Sequence, residues 1–353
     1  MSAPLTPVVS VIMACFNSEL YVAAALDSVR AQTLSAIEII VVDDASSDRT
    51  VEIVMDLAAL DPRITVLRLP ANVGPAVARN KGIQAARGRW VAIVDSDDLI
   101  AQCRLQKLVA AAEADGVDIA CDNLVLFRDD ARALGRALVG KDWAEPRGID
   151  LVTFIRSNHA NTGQSALGYL QPIIRTEFIR RSGLAYNEDL VLNEDYDLLL
   201  RMLAAGAHMR VYPWPTYYYR KRDTSLSRRY RRTDLQAMIA ANAAFLRCQA
   251  AQSSAVARAL AERLETIVDE VAFIDFKAAL STRDVRSAAA KLWARPQLVP
   301  LLLGKVVGYL DRRTRDLRSR SGSAPRFTFD LAASAQTATP QPGRNGPGTS
   351  GEA

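Results

Sequence analysis

The first hundred residues alternate between short apolar runs and longer segments in which apolar residues recur every three or four positions. Short runs rich in Val and Ile predict buried strands, and the longer segments predict amphipathic helices. Strands that alternate with helices form βαβ units, so the pattern predicts an α/β fold with a mostly parallel sheet flanked by helices. The predicted strands are residues 8–14, 37–42, 64–69 and 91–94, and the predicted helices are residues 19–31, 50–60 and 77–86.

Polar or acidic residues follow each of these predicted strands. A single residue of this kind would be explained as a helix cap. The carboxyl ends of parallel strands, however, meet at one edge of a sheet, where ligands bind in open α/β folds. The repetition therefore favours a binding site over a set of caps. The residues concerned are Asn17, Asp43, Asp44, Asn72, Asp95 and Asp97.

The fourth strand ends in three carboxylates within the sequence Asp95-Ser96-Asp97-Asp98. Asp95 and Asp97 are two residues apart, so on a continuing strand their side chains would share one face. Two hard oxygen ligands so placed suit Mg²⁺ or Mn²⁺, which proteins hold largely through substrate phosphates. The sequence therefore predicts a divalent-cation site here, with helix capping as the alternative.

Two further candidate functional segments lie in the second half of the chain. Glu194 and Asp195 precede an amphipathic pattern, where acids can cap a helix or provide a general base. Residues 220–232 hold seven Lys or Arg and one Asp, which fits a solvated surface, a nucleic-acid contact or a loop that grips a diphosphate. No recognisable nucleic-acid module accompanies the segment, and its serines, Ser225 and Ser227, suit a diphosphate loop. Other predicted elements are a helix over 104–115, strands over 119–127 and 209–214, and helical structure over 234–280.

The composition is that of a globular chain with a small basic excess. Of its 353 residues, 49% are hydrophobic and 24% are charged, and the formal net charge is +5. Such a chain can bury one large core or two. Four well-separated cysteines and two histidines predict reduced thiols, and exclude a disulfide framework and a zinc site. No secretory signal and no apolar run of about 20 residues is recognisable, so a cytoplasmic location is predicted.

The last quarter of the chain combines an apolar segment, a basic segment and a polar tail. Residues 298–310 are largely apolar and lead into a basic continuation. This pattern fits a peripheral, amphipathic contact with the inner face of the cell membrane, or equally a core helix with a solvated end. From residue 321 onward Ser, Gly, Pro and Thr predominate, which predicts disorder. The basic continuation consists of Arg312, Arg313, Arg315, Arg318 and Arg320.

Residues 8–230 carry an ordered set of motifs that resembles the inverting family 2 glycosyltransferases, which have the GT-A fold. Each motif is moderately specific, and the ordered set is much more so. In chain order the motifs resemble the family's opening strand (residues 9–17), the second signature that begins at Asp43-Asp44, the donor loop (residues 72–80), the DXD metal motif Asp95-Ser96-Asp97, the ED motif Glu194-Asp195, and the loop that closes on the diphosphate, with Arg220 and Ser225-Leu226-Ser227.

The resemblance implies transfer of one sugar, with inversion, from a nucleotide-diphosphate sugar such as UDP-glucose to an oligosaccharide or glycolipid. It implies Mg²⁺ or Mn²⁺ on Asp97 and Asp95, and Asp195 as the general base with Glu194 beside it. The C-terminal helices resemble those of bacterial exopolysaccharide enzymes of the succinoglycan type, which act on lipid-diphosphate-linked oligosaccharides; no nucleic-acid partner is implied. The implied donor-binding residues are Ala14, Phe16, Asn17, Asp43, Asp44, Asn72, Arg79, Asp95, Ser96, Arg220, Ser225 and Ser227.

The resemblance, the helical pattern and the composition together predict three parts of the chain. These are a GT-A catalytic domain over residues 1–232, a helical region over 233–320 that includes the candidate membrane contact, and a disordered tail over 321–353. Two departures from the family pattern matter. A second triplet, Asn187-Glu188-Asp189, precedes Asn193-Glu194-Asp195, so Asp189 is an alternative base. Arg222 stands where the family often has His. The QxxRW pattern of processive synthases is absent, which favours one sugar per encounter.

Three other function classes fit the sequence less well than a glycosyltransferase does. A sugar nucleotidyltransferase would usually have a Gly-rich phosphate loop after the first strand, where this chain has Cys15-Phe16-Asn17-Ser18. A phospho-receiver module would need a lysine at a later strand end, and none fits. A non-catalytic sugar-nucleotide-binding module is disfavoured because Asp97 and Asp195 are both present.

Overall fold

The computed structural model describes residues 6–130, 133–159, 166–222, 231–249, 253–296 and residue 299. Strands and helices alternate through the first half, as the hydrophobic pattern predicts. The strands are β1 (Val9–Cys15), β2 (Ile37–Asp43), β3 (Ile64–Arg68), β4 (Trp90–Ile93), β5 (Leu99–Ile100), β6 (Ile119–Phe127), β7 (Ala133–Arg136), β8 (Arg147–Ile149), β9 (Ile173–Arg175) and β10 (Met209–Arg220). The helices are α1 (Val22–Arg30), α2 (Thr50–Leu60), α3 (Pro75–Ala85), α4 (Arg104–Ala114), α5 (Leu151–Ser157), α6 (Thr176–Ser182), α7 (Glu194–Ala204), α8 (Arg232–Gln249), α9 (Ser254–Ser281) and α10 (Val285–Ala294).

The described strands form one mixed sheet in the order β3-β2-β1-β4-β9-β6-β10-β5, with β7 beside β6 and β8 beside β10. The block β3-β2-β1-β4 is parallel, and β6 runs parallel to β10. The antiparallel strand β9 joins these two parallel groups. The predicted class, a mostly parallel sheet flanked by helices, is confirmed.

The centre of the sheet is buried on both faces, which explains its continuous apolar runs. β2 and β4 are buried at every position. Helix α3 lies very close to β1, because a Cβ built at Gly82 would come within 2.5 Å of Ile12 Cγ2. A larger residue at position 82 would therefore push α3 away from the sheet.

Two strands differ from their predictions in ways that shape the site. β9 has three residues, too few to produce a recognisable pattern. The strand predicted to end at Trp214 continues to Arg220, and its pairing with β6 shifts register between Tyr212 and Pro215 and again before Tyr217. Prolines interrupt a ladder and are tolerated at such irregular positions. As a consequence, Arg220 belongs to the sheet and reaches its carboxyl edge.

The helical C-terminal region packs against the sheet domain through α9. The guanidinium of Arg263 on α9 lies 3.8 Å from the ring centroid of Tyr196, and its Nη1 donates a hydrogen bond to the carbonyl of Asn158. The predicted helical stretch 234–280 consists of two helices, α8 and α9, separated by residues outside the described range. No helix among the described residues is long and apolar enough to cross a membrane. Of the apolar segment 298–310 only residue 299 is described, and the arginines at 312–320 and the tail from 321 lie outside the described residues.

Candidate active site

The carboxyl ends of β1 and β2 are joined by hydrogen bonds between the loops that follow them. Asn17 adopts a left-handed conformation, with φ 48°, which Asn tolerates better than most residues. Its Oδ1 accepts a hydrogen bond from Ser47 N at 2.9 Å, and its backbone N donates to Ser46 Oγ at 3.0 Å. Beside it, Phe16 is 47% exposed, and Ala14 is half-buried near the end of β1.

The two acids at the end of β2 are buried and hold the loops around them. Asp44 accepts hydrogen bonds from the backbone N of Val73 and of Gly74, both at 2.8 Å. This contact fixes the loop that carries the exposed Asn72 into α3. Asp43 accepts from Ser46 N at 3.2 Å. Both carboxylates therefore fix the loops at the carboxyl ends of the parallel strands.

Arg79 on α3 connects the metal motif to the ED motif. Its Nη2 donates to Asp95 Oδ1 at 2.8 Å and its Nη1 to Glu194 Oε1 at 2.7 Å. The same Nη1 lies 3.7 Å from Asp195 Oδ1. Burial favours the neutral form of Arg79, but the charges of Asp195 and Asp95 outweigh this and raise its pKa well above the usual range. Arg79 was predicted as a donor-binding residue, and here it also joins acids from two distant parts of the chain.

The ED pair lies in the first turn of α7 but does not cap that helix. The helix begins after Asn193, which has φ 70° and makes no side-chain cap hydrogen bond. Glu194 contacts Arg79, and Asp195 Oδ1 accepts from the hydroxyl of Tyr186 at 3.0 Å. Burial and the charge of Asp195 raise the pKa of Glu194 to about 7, and burial also raises the pKa of Asp195. The capping interpretation is therefore not needed for either acid.

The Asp95-Ser96-Asp97 motif lies in a turn, and not on a continuing strand. β4 ends at Ile93, and a hydrogen bond from Asp98 N to Asp95 O at 3.1 Å closes the turn. The expectation that Asp95 and Asp97 share one strand face is therefore wrong. The side chain of Asp95 binds Arg79 and accepts from Gln171 Nε2 at 2.9 Å.

Asp98 and Ser96 tie this turn to its neighbours. Asp98 is 1% exposed and accepts from Tyr217 OH at 2.9 Å and from Arg220 N at 2.7 Å. Burial and the charge of Asp97 raise the pKa of Asp98 well above its usual range. Ser96 Oγ lies 2.9 Å from Ser18 Oγ, which links the turn to the loop after β1.

Two arginines at the end of β10 lie against the turn. Arg220 Nε donates to the carbonyl of Asp97 at 2.6 Å, and its guanidinium lies 4.9 Å from the ring centroid of Tyr21 and 4.5 Å from that of Phe127. Arg222 Nη2 lies 2.6 Å from Asp97 Oδ2. Ser225 and Ser227, the other predicted diphosphate contacts, lie outside the described residues.

The carboxylates of this turn fit a divalent cation held mainly by phosphate oxygens. Burial and the charge of Asp95 raise the pKa of Asp97, against the opposing charge of Arg222. A cation beside Asp97 would relieve this repulsion, and carboxylate oxygens are ligands that Mg²⁺ and Mn²⁺ prefer. Among the described residues no group of three or more His, Cys, Asp or Glu is arranged as a metal site. Of the described residues, Asp97 and Asp95 would hold the cation, and the diphosphate would supply further ligands.

The structure adds residues that the sequence motifs did not indicate. Tyr186 donates a hydrogen bond to Asp195, Gln171 donates one to Asp95, and Tyr217 donates one to Asp98. Tyr217 lies in the run Tyr217-Tyr218-Tyr219, and an aromatic run of this kind is typical of a strand or of a buried core. Gln171 has no sequence signal, because its role depends on a contact with Asp95, 76 positions away.

Comparisons with known proteins agree with this fold and show the family. The sequence model described as Glycosyl transferase family 2 matches residues 10–174. The succinoglycan biosynthesis protein ExoO of Rhizobium meliloti is 40% identical over 241 residues, 68% of this chain and 68% of that protein. ExoU of the same organism, also named a succinoglycan biosynthesis protein, is 30% identical over 327 residues, 92% of this chain and 93% of that protein.

Solved structures show the same architecture at low sequence identity. S. aureus TarS 1-349 in complex with UDP-GlcNAc has a TM-score of 0.58 and 20% identity, with 82% of this chain and 91% of that chain covered. The mannosyltransferase PcManGT from Pyrobaculum calidifontis, in complex with GDP-Man and Mn²⁺, has a TM-score of 0.53 and 18% identity, with 86% of this chain and 81% of that chain covered. The fold is that of the GT-A glycosyltransferases. The chain belongs to glycosyl transferase family 2 and is a glycosyltransferase, so the predicted family and enzyme class are confirmed.

Proposed function

We propose that this glycosyltransferase transfers one sugar from a UDP-hexose, such as UDP-glucose, to a saccharide acceptor carried on a lipid diphosphate. The biological setting that we propose is the assembly of an exopolysaccharide. The two Rhizobium meliloti relatives, both named succinoglycan biosynthesis proteins, support this setting. The UDP-GlcNAc bound to S. aureus TarS supports a UDP-sugar as the donor.

The observation that carries the proposal is that Arg79 contacts acids of two different motifs. Sugar transfer requires a cationic environment for the leaving diphosphate and a base for the acceptor hydroxyl, on opposite sides of the anomeric carbon. Arg79 binds Asp95, from the proposed metal motif, and Glu194, from the proposed base motif, at 2.8 and 2.7 Å. The two halves of the chemistry are thus adjacent and rigidly connected.

Asp195 is the general base in this proposal. The acceptor oxygen attacks the anomeric carbon, the bond from that carbon to the diphosphate oxygen breaks, and the acceptor proton moves to the Asp195 carboxylate. The raised pKa of Asp195 makes it a stronger base near neutral pH. The hydroxyl of Tyr186 holds this carboxylate in place. A single displacement needs no covalent enzyme intermediate and inverts the anomeric configuration.

The charge that develops on the leaving diphosphate is met by Arg220 and Arg222. The rings of Tyr21 and Phe127 orient the Arg220 guanidinium, and Arg222 lies beside it on Asp97. Mg²⁺ or Mn²⁺, when held by Asp97 and Asp95, would supply further neutralisation of this charge. The Mn²⁺ bound to PcManGT supports this part of the proposal.

The test is a screen of purified protein with Mn²⁺ and a panel of UDP- and GDP-sugars, in which release of the nucleotide diphosphate is measured. We expect one UDP-hexose to dominate. Asp195→Asn should bind UDP as tightly as the unchanged protein, measured by calorimetry, but should lose turnover. Asp189→Asn is the comparison variant, an identical change in the neighbouring triplet, and should keep its kcat even where its KM for an acceptor rises.

Two results would contradict the proposal. If Asp189→Asn is inactive and Asp195→Asn is active, the base belongs to the other triplet. If the protein instead releases pyrophosphate from a nucleoside triphosphate and a sugar phosphate, it is a nucleotidyltransferase.

A further inference from the structure

A second concave surface lies behind the ED pair, between α8 and the loop that precedes α7. We call it the α8 cleft; it is bounded by the loop of residues 185–189, by the side chains of Asp197 and Arg201 on α7, and by one face of α8. Its volume is about 640 Å³, which lies within the range of small-molecule sites. All its lining residues lie beyond residue 174, where the match to the family ends.

We propose that the α8 cleft binds neutral sugar residues of the acceptor, away from the hydroxyl that reacts. This inference rests on the proposed function and specifies its acceptor. One wall is apolar and comes from α8, with Ala241, Ala244 and the half-buried ring of Phe245. The opposite wall is polar, with Asn187 and the exposed carboxylate of Asp189. An aromatic face opposite hydrogen-bond acceptors matches a sugar ring, which has apolar C–H faces and hydroxyl donors at its rim.

The charges at the cleft decide between a neutral sugar and an anionic group. Arg201 is the cationic side chain among the residues that line the cleft, and Asp197 neutralises its charge. Arg201 Nη2 lies 2.7 Å from Asp197 Oδ2 and donates to the carbonyl of Ala185 at 2.7 Å. Asp189 receives no hydrogen bond at its carboxylate from the described residues. The free charge is therefore negative, which repels phosphate and uronate groups and favours hydroxyl donors.

The cleft is connected to the proposed base through a rigid loop. Tyr186 lines the cleft and donates its hydroxyl to Asp195. Asn80, the neighbour of Arg79 on α3, fixes this loop by three hydrogen bonds. Its Nδ2 donates to Tyr186 O and to Glu188 Oε1, both at 3.0 Å, and its Oδ1 accepts from Tyr186 N at 2.8 Å. Asp195 and Asp197 are two positions apart on α7, so they point to different sides, one toward Arg79 and one into the cleft. The buried Tyr186 thus forms part of the cleft wall and contacts Asp195 on its other side.

The experiment measures binding of neutral tetrasaccharides of glucose and of galactose by saturation-transfer NMR on the full chain, with tetragalacturonate as the anionic counterpart. We expect a neutral tetrasaccharide to bind and tetragalacturonate not to bind. Ala244→Trp should fill the cleft and abolish binding. Ala240→Trp is the matched control, because Ala240 is exposed on the same helix one turn earlier and does not line the cleft. Asp189→Asn should weaken binding roughly tenfold, the effect of losing one charge-assisted hydrogen bond.

The location is checked with the exposed thiol of Cys248, which lines the cleft. The bound tetrasaccharide should slow alkylation of Cys248, and the alkylation rate is measured by peptide mass spectrometry. Equal alkylation rates, or equal binding by Ala244→Trp and Ala240→Trp, would overturn the inference. So would the failure of every neutral tetrasaccharide to bind. UDP binding is measured in the same samples. If UDP binds and no saccharide does, the α8 cleft is not an acceptor site, and the proposed binding of a UDP-sugar donor is unaffected. Failure to bind UDP counts against the proposed function itself.

Discussion

At the scale of single residues, Arg79 and Arg222 neutralise the acids that carry the proposed chemistry. Arg79 brings Asp95, Glu194 and Asp195 together, and burial opposes the ionisation of Asp97, Glu194 and Asp195 by raising the pKa of each. Arg79 is buried and bound to acids of both motifs, while Arg222 is partly exposed, pairs with Asp97 and lies 4.9 Å from the ring centroid of Tyr21. We infer that Arg79 is a permanent part of the site and that Arg222 is exchangeable for another cation.

Replacement of Arg222 should make Asp97 more available to a metal ion. We expect Arg222→Gln to bind Mn²⁺ roughly fivefold more tightly in the absence of nucleotide, the equivalent of about 1 kcal/mol for one partly exposed ion pair. The measurement is calorimetric titration with Mn²⁺. Arg89→Gln is the control, since Arg89 loses an exposed ion pair with Glu113 at the opposite edge of the sheet.

The same titration tests the metal site itself. Asp97→Ala should lose Mn²⁺ binding while remaining folded by circular dichroism. Unchanged Mn²⁺ affinity in both Arg222→Gln and Asp97→Ala would show that the metal does not bind at this turn.

At the scale of elements, buried ion pairs fix how helices and strands meet behind the site. Arg104 on α4 and Asp122 on β6 are both completely buried, with Arg104 Nη2 2.8 Å from Asp122 Oδ1. Asp122 also accepts from the hydroxyl of Thr216 on β10, and Arg104 donates to the carbonyl of Gln171 at 2.5 Å. One pair thus connects α4, β6, β10 and the segment whose Gln171 side chain orients Asp95.

Removal of one partner of this pair should be much more harmful than removal of both. Arg104→Met leaves an uncompensated buried carboxylate and should lower the free energy of unfolding by about 3–5 kcal/mol. The double variant Arg104→Met, Asp122→Leu should recover most of this loss. Urea unfolding provides the measurement. Equal destabilisation by the single and the double variant would mean that packing, and not charge, dominates at this position.

A second set of ion pairs joins α1, α2 and β3 and predicts a pH dependence. Asp61 follows α2 and contacts Arg63 at 2.7 Å and Arg30 at 3.2 Å. Hydrogen bonds from Arg63 lower the pKa of Asp61 well below its usual value, against the effect of burial. A carboxylate with a depressed folded-state pKa stabilises the fold above its unfolded pKa of about 4, and this contribution is lost as the pH falls through the folded value.

Asp61→Asn should therefore lower the free energy of unfolding by about 1–3 kcal/mol at pH 7. The difference from the unchanged protein should shrink as the pH falls below about 4. Denaturant unfolding at a series of pH values gives this difference directly. Asp56→Asn, an exposed acid on α2, is the control and should show a small difference at every pH. A constant difference for Asp61→Asn across the series would contradict the assigned ion pairs.

At the scale of the whole molecule, the predicted membrane contact concerns residues outside the described part of the chain. The apolar segment 298–310 and the five arginines that follow it support a peripheral contact with anionic lipid. Each basic residue near such a surface contributes about 1 kcal/mol, so five could hold a marginal amphipathic segment in place. Screening by salt extends over roughly 10 Å at 0.1 M ionic strength, so the contact should weaken as salt rises.

The test is sedimentation of the full chain with anionic vesicles at low and high salt. A variant with Gln in place of Arg312, Arg313, Arg315, Arg318 and Arg320 should lose binding at low salt. Its matched control replaces five basic residues elsewhere, Arg49, Lys81, Arg87, Arg89 and Arg136, and should still sediment. If both variants sediment like the unchanged chain, or if the unchanged chain never binds, these arginines do not form a membrane contact.

The sequence alone determined the class of fold, the order along the chain of the first four strands and their helices, and the position of the acids at the ends of strands. These features depend on apolar spacing and on motifs within about ten residues, which are local properties. Only the tertiary structure decided which acids meet: Arg79 and Glu194 are 115 positions apart, and Gln171 reaches Asp95 because the short strand β9 brings its segment beside β4. The end of β10 was missed for a related reason, since its prolines locally imitate a strand end while pairing with β6 continues past them. Contacts between distant segments depend on the packing of the whole sheet, and no local pattern encodes them.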